Sequence, residues 1–551
     1  FVVNGSKKIF RFDDELTPNE VSVLISLLTS GAEIEYLALC QELPAGTGAE
    51  LGEAIKCSGK ITELRVFGYI MGDPSPELFQ LIVASLNPAL EHLTIRSVYD
   101  ENMHQLCDGS PGKQRLTMLR SLKIKDCEFR IPLLAKWISS LQALESLVIS
   151  RTNLIPSDVK ALAAAMRKLP AVTDLSLCEV TIETEDWQQF GGNFFGKLTK
   201  LSLNSDKLKD EGIAVIVDEI LASRRRRCGL EKLSLYFNGI GPAGAQKLSE
   251  LIACSPHLRH LCLGRNPLEV GIASQVLEKC ASSLEVLDVG DCRLGPREAV
   301  SLFAHDYCAL TILKITCNKV GDTGVGAVAQ LLLHSSGRTL KVLKIGENNI
   351  GEAGALVLAK GLAKAYAIRI MYANKNPLGP RGATAILDAL AAVSTVPIDK
   401  IYMYWCEIGN AGASAAGKLI MRRGCRQLDL DNNSIHFKGA KAIADSLNSS
   451  ACTIEKLNLL ENWIGDEGIK YLLKQIILKP GSVCKLLLDL CGIGVEGSMA
   501  IRQAIETQGA LKKLMYVEHI KGMDESAKAI LREAEGISHN LKYTEIEKLY
   551  E

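Results

Sequence analysis

Apolar residues recur along this chain with two periods that take turns. In residues 340–367, LKVLKIGENNIGEAGALVLAKGLAKAYA, apolar side chains stand at the first, fourth and sixth places as Leu340, Leu343 and Ile345. The last two share one face, which predicts a short strand buried on one side. Asn348 follows at the ninth place, and Gly351 and Gly354 predict a tight turn. Ala355, Leu358, Ala359 and Leu362 then run on at helical spacing. One strand, one turn and one helix cannot bury their own apolar face, so such a unit needs copies of itself on either side.

The copies are present. The first apolar place of each unit falls at Ile34, Ile61, Leu90, Leu119, Leu144, Val172, Leu198, Leu230, Leu258, Leu284, Leu310, Leu340, Ile368, Ile398, Cys425, Ile454, Val483 and Leu511, which makes eighteen candidate strands spaced 25 to 32 residues apart. From Leu198 onward the turn carries GxxG, beginning at Gly241, Gly321, Gly351, Gly379, Gly409, Gly465 and Gly494. The fold class expected is an α/β solenoid. Strands about 4.8 Å apart beside helices about 8 to 10 Å apart bend such a stack into a curved horseshoe, with a parallel sheet on the concave face and helices on the convex face. The expected organisation is an N-terminal cap over 1–33, a solenoid over 34–510, and a C-terminal cap with a charged tail over 511–551. Thr17, Pro18, Asn19 and Glu20 read as a capping-box helix start within the first of these.

The ninth place followed by [IL]-G-x-x-G resembles the ribonuclease inhibitor-like subfamily of leucine-rich repeat proteins. That resemblance covers almost the whole chain and implies a non-enzymatic protein-binding scaffold. Similar chains include the sensor ends of NOD-like receptors and leucine-rich subunits of axonemal complexes, so a structural or assembly role in an intracellular, cytoplasmic complex, cytoskeletal or ciliary, is the expectation. The alternative is a Ran-type GTPase-activating protein, a family that supplies an arginine from a repeat loop; Arg293 and Arg381 are the nominal candidates.

Composition narrows this little. Lysine plus arginine equals aspartate plus glutamate at 63 each, so no overall charge draws the chain to nucleic acid or an anionic membrane. Seventeen cysteines lie scattered without a CxxC pair. Cys127, Cys292, Cys406 and Cys491 stand at the ninth place that asparagine fills elsewhere, which predicts buried thiols under the turns and a reducing compartment. No apolar run approaches the roughly 20 residues of a membrane span.

Strand phase sends the third, fifth and seventh places of each unit to the open sheet face. Early units show a mildly basic strip of Arg65, His92, Arg96, Lys123 and Lys125, and middle units show small groups such as Ser234 and Cys262. Toward the end, Tyr372, Tyr402 and Tyr404 are expected beside Asp429 and Asp431, with Trp405 at the rim; tyrosine and tryptophan near carboxylates make a candidate protein-binding patch. Tyr236 and Trp463 are weaker candidates of the same kind. Arg224, Arg225, Arg226 and Arg227 form a run expected at one edge, a candidate anchor for an acidic partner surface. Residues 412–419 (GASAAGKL) and 191–198 (GGNFFGKL) imitate a phosphate-binding loop, but a leucine stands where magnesium needs a hydroxyl. No catalytic residue, cofactor or metal is expected. Residues 184–197, with Trp187, Phe190, Phe194 and Phe195, read as a bulkier outer helix.

Overall fold

The computed structural model describes residues 2–4, 7–12, 16–39, 43–68, 76–86, 88–98, 116–127, 131–153, 155–222, 228–268, 277, 280–393, 396–478, 483, 485–488, 491–508, 513–514, 526–527 and 530. Their contacts gather into two compact units, residues 1–266 and 267–551.

The first unit opens with the hairpin Val2–Asn4 and Lys7–Phe12, and its second strand pairs in parallel with Tyr36–Leu39 of the first repeat. Between them lies helix Pro18–Thr29, started by the expected box: the Glu20 amide donates to Thr17 Oγ1 and the Thr17 amide to the Glu20 carboxylate at 2.8 Å. A parallel ladder then runs through Glu63–Phe67, His92–Arg96, Ser121–Lys125, Ser146–Asn153, Asp174–Thr181, Lys200–Asn204, Lys232–Ser234 and His260–Cys262. Helices of neighbouring coils pack on one another in a second layer. One expectation is corrected here. Residues 184–197 are not one helix but a 3-10 segment Thr184–Phe190 and a single α-turn Gly192–Phe195, separated at Gly191, whose φ of 72° ends the first. Their four rings are buried against each other all the same.

The second unit continues the pattern with parallel strands Val286–Asp288, Ile312–Lys314, Val342–Lys344, Ile370–Tyr372, Ile398–Tyr402, Cys425–Asp429, Lys456–Asn458, Lys485–Leu487 and Lys513–Leu514. Leu340, Leu343 and Ile345 are fully buried, as are Met371, Ile401, Leu428, Leu457 and Leu486 at the fourth place of their coils. Each such side chain contributes about 1.5–3 kcal/mol, so the repeated register rather than any one contact holds the stack. Most of the tail expected over 511–551, and all of residues 99–115, lie outside the described residues.

The ninth place explains how coils are joined. Asn348 Nδ2 donates to Ile315 O of the preceding coil at 2.8 Å, while its own amide donates to Asn376 Oδ1 of the following one at 2.9 Å. Asn238, Asn266, Asn318, Asn376, Asn433 and Asn462 repeat the donation to a preceding coil. An amide supplies both a donor and an acceptor, and the buried turn backbone needs both. The thiols of Cys406 and Cys491 take the donor part alone, reaching Ala373 O at 3.2 Å and Leu459 O at 3.0 Å.

The GxxG turn has two forms. At Gly321 the backbone is left-handed (φ 58°), and its amide donates forward to Asn348 O of the next coil. At Gly351 it is extended (φ −88°), and the amide donates backward to Asp322 Oδ1 at 2.7 Å. Asp210 toward Gly241, Asn410 toward His436 and Asp466 toward Gly494 act as Asp322 does. After Pro296 and Pro380, which offer no such acceptor, Gly321 and Gly409 are left-handed instead, and so is Gly379 after the longer Glu352, its amide donating forward to Cys406 O. The second glycine serves close packing: a Cβ on Gly354 would stand 2.4 Å from Asp322 Oδ1.

Candidate functional site

Strand phase places the expected face where the alternation requires. Lys344, Tyr372 and Tyr402 are half-buried between fully buried neighbours, and Val342, Ile370 and Lys400 are half-buried ahead of the buried Leu343, Met371 and Ile401. Along the fifth places, Lys344, Tyr372, Tyr402 and Asp429 stand in register on consecutive strands. The Tyr372 and Tyr402 rings stack at 4.4 Å between centroids and 10° between planes, and Lys344 Nζ caps the free face of Tyr372 at 4.3 Å. The Tyr402 hydroxyl donates to Gln427 Oε1 at 3.4 Å. Burial, then the neighbouring Tyr372 and Asp429, pushes the Tyr402 phenol up to about 12; burial also raises Asp429 and lowers Lys344. The row is therefore an ordered stack of a cation, two rings and a carboxylate, with the rings' edges turned to the open face.

The other expected residues take different places. Tyr404 is half-buried two places after Tyr402, and Trp405 follows it at the rim, 54 % exposed. Asp431 is buried and its amide donates to Asp429 Oδ1 at 3.2 Å, so it stands behind Asp429 and presents little surface. Trp463, 69 % exposed, lies on a later turn. Tyr236 belongs to the first unit, where the Arg265 guanidinium sits 5.7 Å from its ring and 5.9 Å from that of Phe237. Arg224 to Arg227 lie outside the described residues, and the expectation attached to them stays an expectation. Gly412 of the loop-like motif lies inside helix Gly409–Arg422, where a Cβ would stand 2.6 Å from Ile408 Cβ; it is a packing glycine. Arg381 pairs with Glu352 at 3.2 Å.

Trp405 occupies the eighth place, where the backbone is left-handed in coil after coil: Asp126, Arg151, Glu179, Phe237, Arg265, Glu347 and Lys375 share a φ between 53° and 58° with it. A bulky residue pays for that torsion with strain. Trp405 is 54 % exposed, so burial offsets that strain only in part.

Two buried groups escaped the sequence reading. Arg423 is 1 % exposed, and its guanidinium donates to three backbone carbonyls, Val396 O at 2.8 Å, Leu390 O at 3.0 Å and Ile368 O at 2.6 Å. Burial lowers it to about 10. Following a helix and preceding Gly424, it reads in sequence as a solvated helix end. Asp206 stands at a ninth place in the first unit; Oδ1 accepts from the Val180 amide at 2.7 Å, while the buried Oδ2, which replaces a donating nitrogen, has no hydrogen-bond partner. Burial raises its carboxyl to about 8. Its position in the ninth-place series is the signal that could have found it.

A leucine-rich repeat family model matches residues 229–249, 308–329, 338–359 and 450–473. Ribonuclease inhibitor from Mus musculus is 24 % identical over 395 residues, covering 68 % of this chain and 84 % of the inhibitor. Its counterpart from Sus scrofa is 25 % identical over 430 residues, covering 76 % and 87 %. Human NACHT, LRR and PYD domains-containing protein 14 is 25 % identical over 291 residues, 52 % of this chain and 26 % of that protein.

Proposed function

We propose that this leucine-rich repeat protein, ribonuclease inhibitor-like in its repeats, is a non-enzymatic scaffold that docks a partner protein on the sheet face of residues 267–551. The observation that carries the reading is the stack of Lys344, Tyr372, Tyr402 and Asp429, in register and with the rings 4.4 Å apart. Side chains already ordered against each other lose little freedom when a partner arrives, so their contact area converts efficiently into affinity. Tyr404 and Trp405 extend the surface toward the rim, and Asp429 supplies an acceptor for a partner's donor. The chain's division into repeated coils favours an assembly role, in which the partner is a subunit of an intracellular complex of cytoskeletal or axonemal type.

Cross-linking mass spectrometry on the native complex tests this. Cross-links should concentrate on lysines of the sheet face, Lys344 and Lys400 among them. Cross-links gathered on the helices instead would end the proposal.

A further inference from the structure

The third places of the second unit change character along the ladder. They begin as Val286, Ile312, Val342 and Ile370 and continue as Lys400, Gln427, Lys456 and Lys485, with Lys513 next in register. Neighbouring strands stand about 4.8 Å apart, so Lys456 and Lys485 set like charges side by side, an arrangement that opposes folding.

Carboxylates and further cations stand among these lysines. Asp399 is shared by Arg369 at 2.8 Å and Arg426 at 3.9 Å, Glu455 is exposed beside Lys456, and Asp429 is near enough to Lys456 to feel its charge. Lys344 is near enough to Lys314 and Lys400 for each to disfavour its charge, and to Asp288 for that carboxylate to favour it. Lys344, Arg369, Lys400, Arg426, Lys456 and Lys485 thus outnumber the carboxylates Asp399, Asp429, Asp431 and Glu455, with Asp288 paired to Lys314 at 2.9 Å. The sheet face carries a local positive field in a chain of zero net charge.

We propose that this stretch takes an extended acidic peptide segment of a partner protein, its carboxylates meeting Lys400, Lys456 and Lys485 and its backbone lying against the Tyr402 edge. The inference rests on the reading of this face as a docking surface and names the chemistry of what docks. Lys400 and Lys456 lie two strands apart, about 9.6 Å, which an extended chain covers in about three residues. Single-stranded nucleic acid fits less well, because bases need open ring faces; those of Tyr372 are closed by Lys344 on one side and Tyr402 on the other. Phenol edges and lysine amines suit carboxylates and peptide carbonyls.

The test uses the full chain and four probes: a fluorescein-labelled glutamate-rich peptide, its lysine-substituted counterpart, a single-stranded RNA oligonucleotide and phosphatidylserine vesicles. Binding is followed by anisotropy, or by co-sedimentation for vesicles, at low and moderate salt. The glutamate peptide should bind in preference to the others. The triple variant K400Q/K456Q/K485Q should weaken it by about tenfold or more, and K400R/K456R/K485R should hold within about threefold. Unfolding midpoints establish that both variants fold.

Equal binding to the glutamine variant, no binding of the acidic peptide, or a stronger lysine-dependent response to RNA or vesicles would overturn the inference. In those cases native cross-links still falling on the sheet face would leave docking itself standing. Cross-links on the helices would bring down the docking reading first.

Discussion

The Tyr372 ring lies on that of Tyr402 with centroids 4.4 Å apart, each supplied by its own coil, so the pair exists only when two repeats are in correct register. Replacing Tyr402 by alanine should cost about 0.5–1.5 kcal/mol from the ring pair beyond the area lost, whereas Tyr402→Phe should keep the stack. The phenol adds a pH signature. With its folded value about 12 against an ordinary 10.0, stability is full below pH 10 and falls as pH rises from 10 through 12. An ultraviolet tyrosinate titration should lose one late-ionising phenol in Tyr402→Phe, while Tyr307 and Tyr372, whose phenols burial also raises, continue to ionise late.

Asp206 makes a second prediction with a wider window. Its folded value of about 8 lies above the ordinary 3.8, so the folded state holds the proton more tightly. Its contribution to stability is therefore greatest below pH 4 and declines as pH rises from 4 to 8, by at most about 1.4 kcal/mol per unit, with no further change above. Asp206→Asn restores a donor at the ninth place and should flatten this dependence. Urea unfolding of both proteins at several pH values checks it; parallel curves would show that the carboxyl is not protonated in the fold.

Arg423 holds three carbonyls from the backbone before it. Arg423→Met removes the guanidinium that all three accept from in the interior and should cost about 3–5 kcal/mol. Arg423→Lys, with one ammonium in place of a planar fork, should recover only part. A chemical-denaturation midpoint unchanged in Arg423→Met would refute the assignment.

Asp322→Ala removes the acceptor of the Gly351 amide and should destabilise by about 1 kcal/mol, as the loss of a helix cap does. Pro380→Ala removes no such acceptor: Gly409, at the start of the next helix, donates to Asn433 O instead. A shift of the melting temperature in the first variant and not the second would verify that the Asp322 carboxylate holds the extended turn at Gly351.

Much of this was legible in residues that repeat. Leu343, Ile345 and Asn348 announce strand phase and turn because the same types return at the same places, and Tyr372 beside Tyr402 followed from that phase alone. Asp431 was misjudged as surface because alternation gives a direction and not a depth. The lysines at the third places, Lys400, Lys456 and Lys485, are legible from the same phase. Arg423 could not be found, since the carbonyls that explain its burial lie 27, 33 and 55 residues upstream and carry no side-chain mark.

Asp322's bond to Gly351 sets the length that can be cut from this chain without a scar. Excising the coils at 310–339 and 340–367 together would set Gly379, left-handed and forward-donating, after the coil of Pro296, where Gly321 of the same form now stands. Removing the first alone would bring Gly351 up to a coil with no carboxylate to offer it. The coil 368–397 can leave alone, because Gly379 and Gly409 are both left-handed and forward-donating in consecutive coils, so shortening by engineering should match the form of the glycine and not a fixed step.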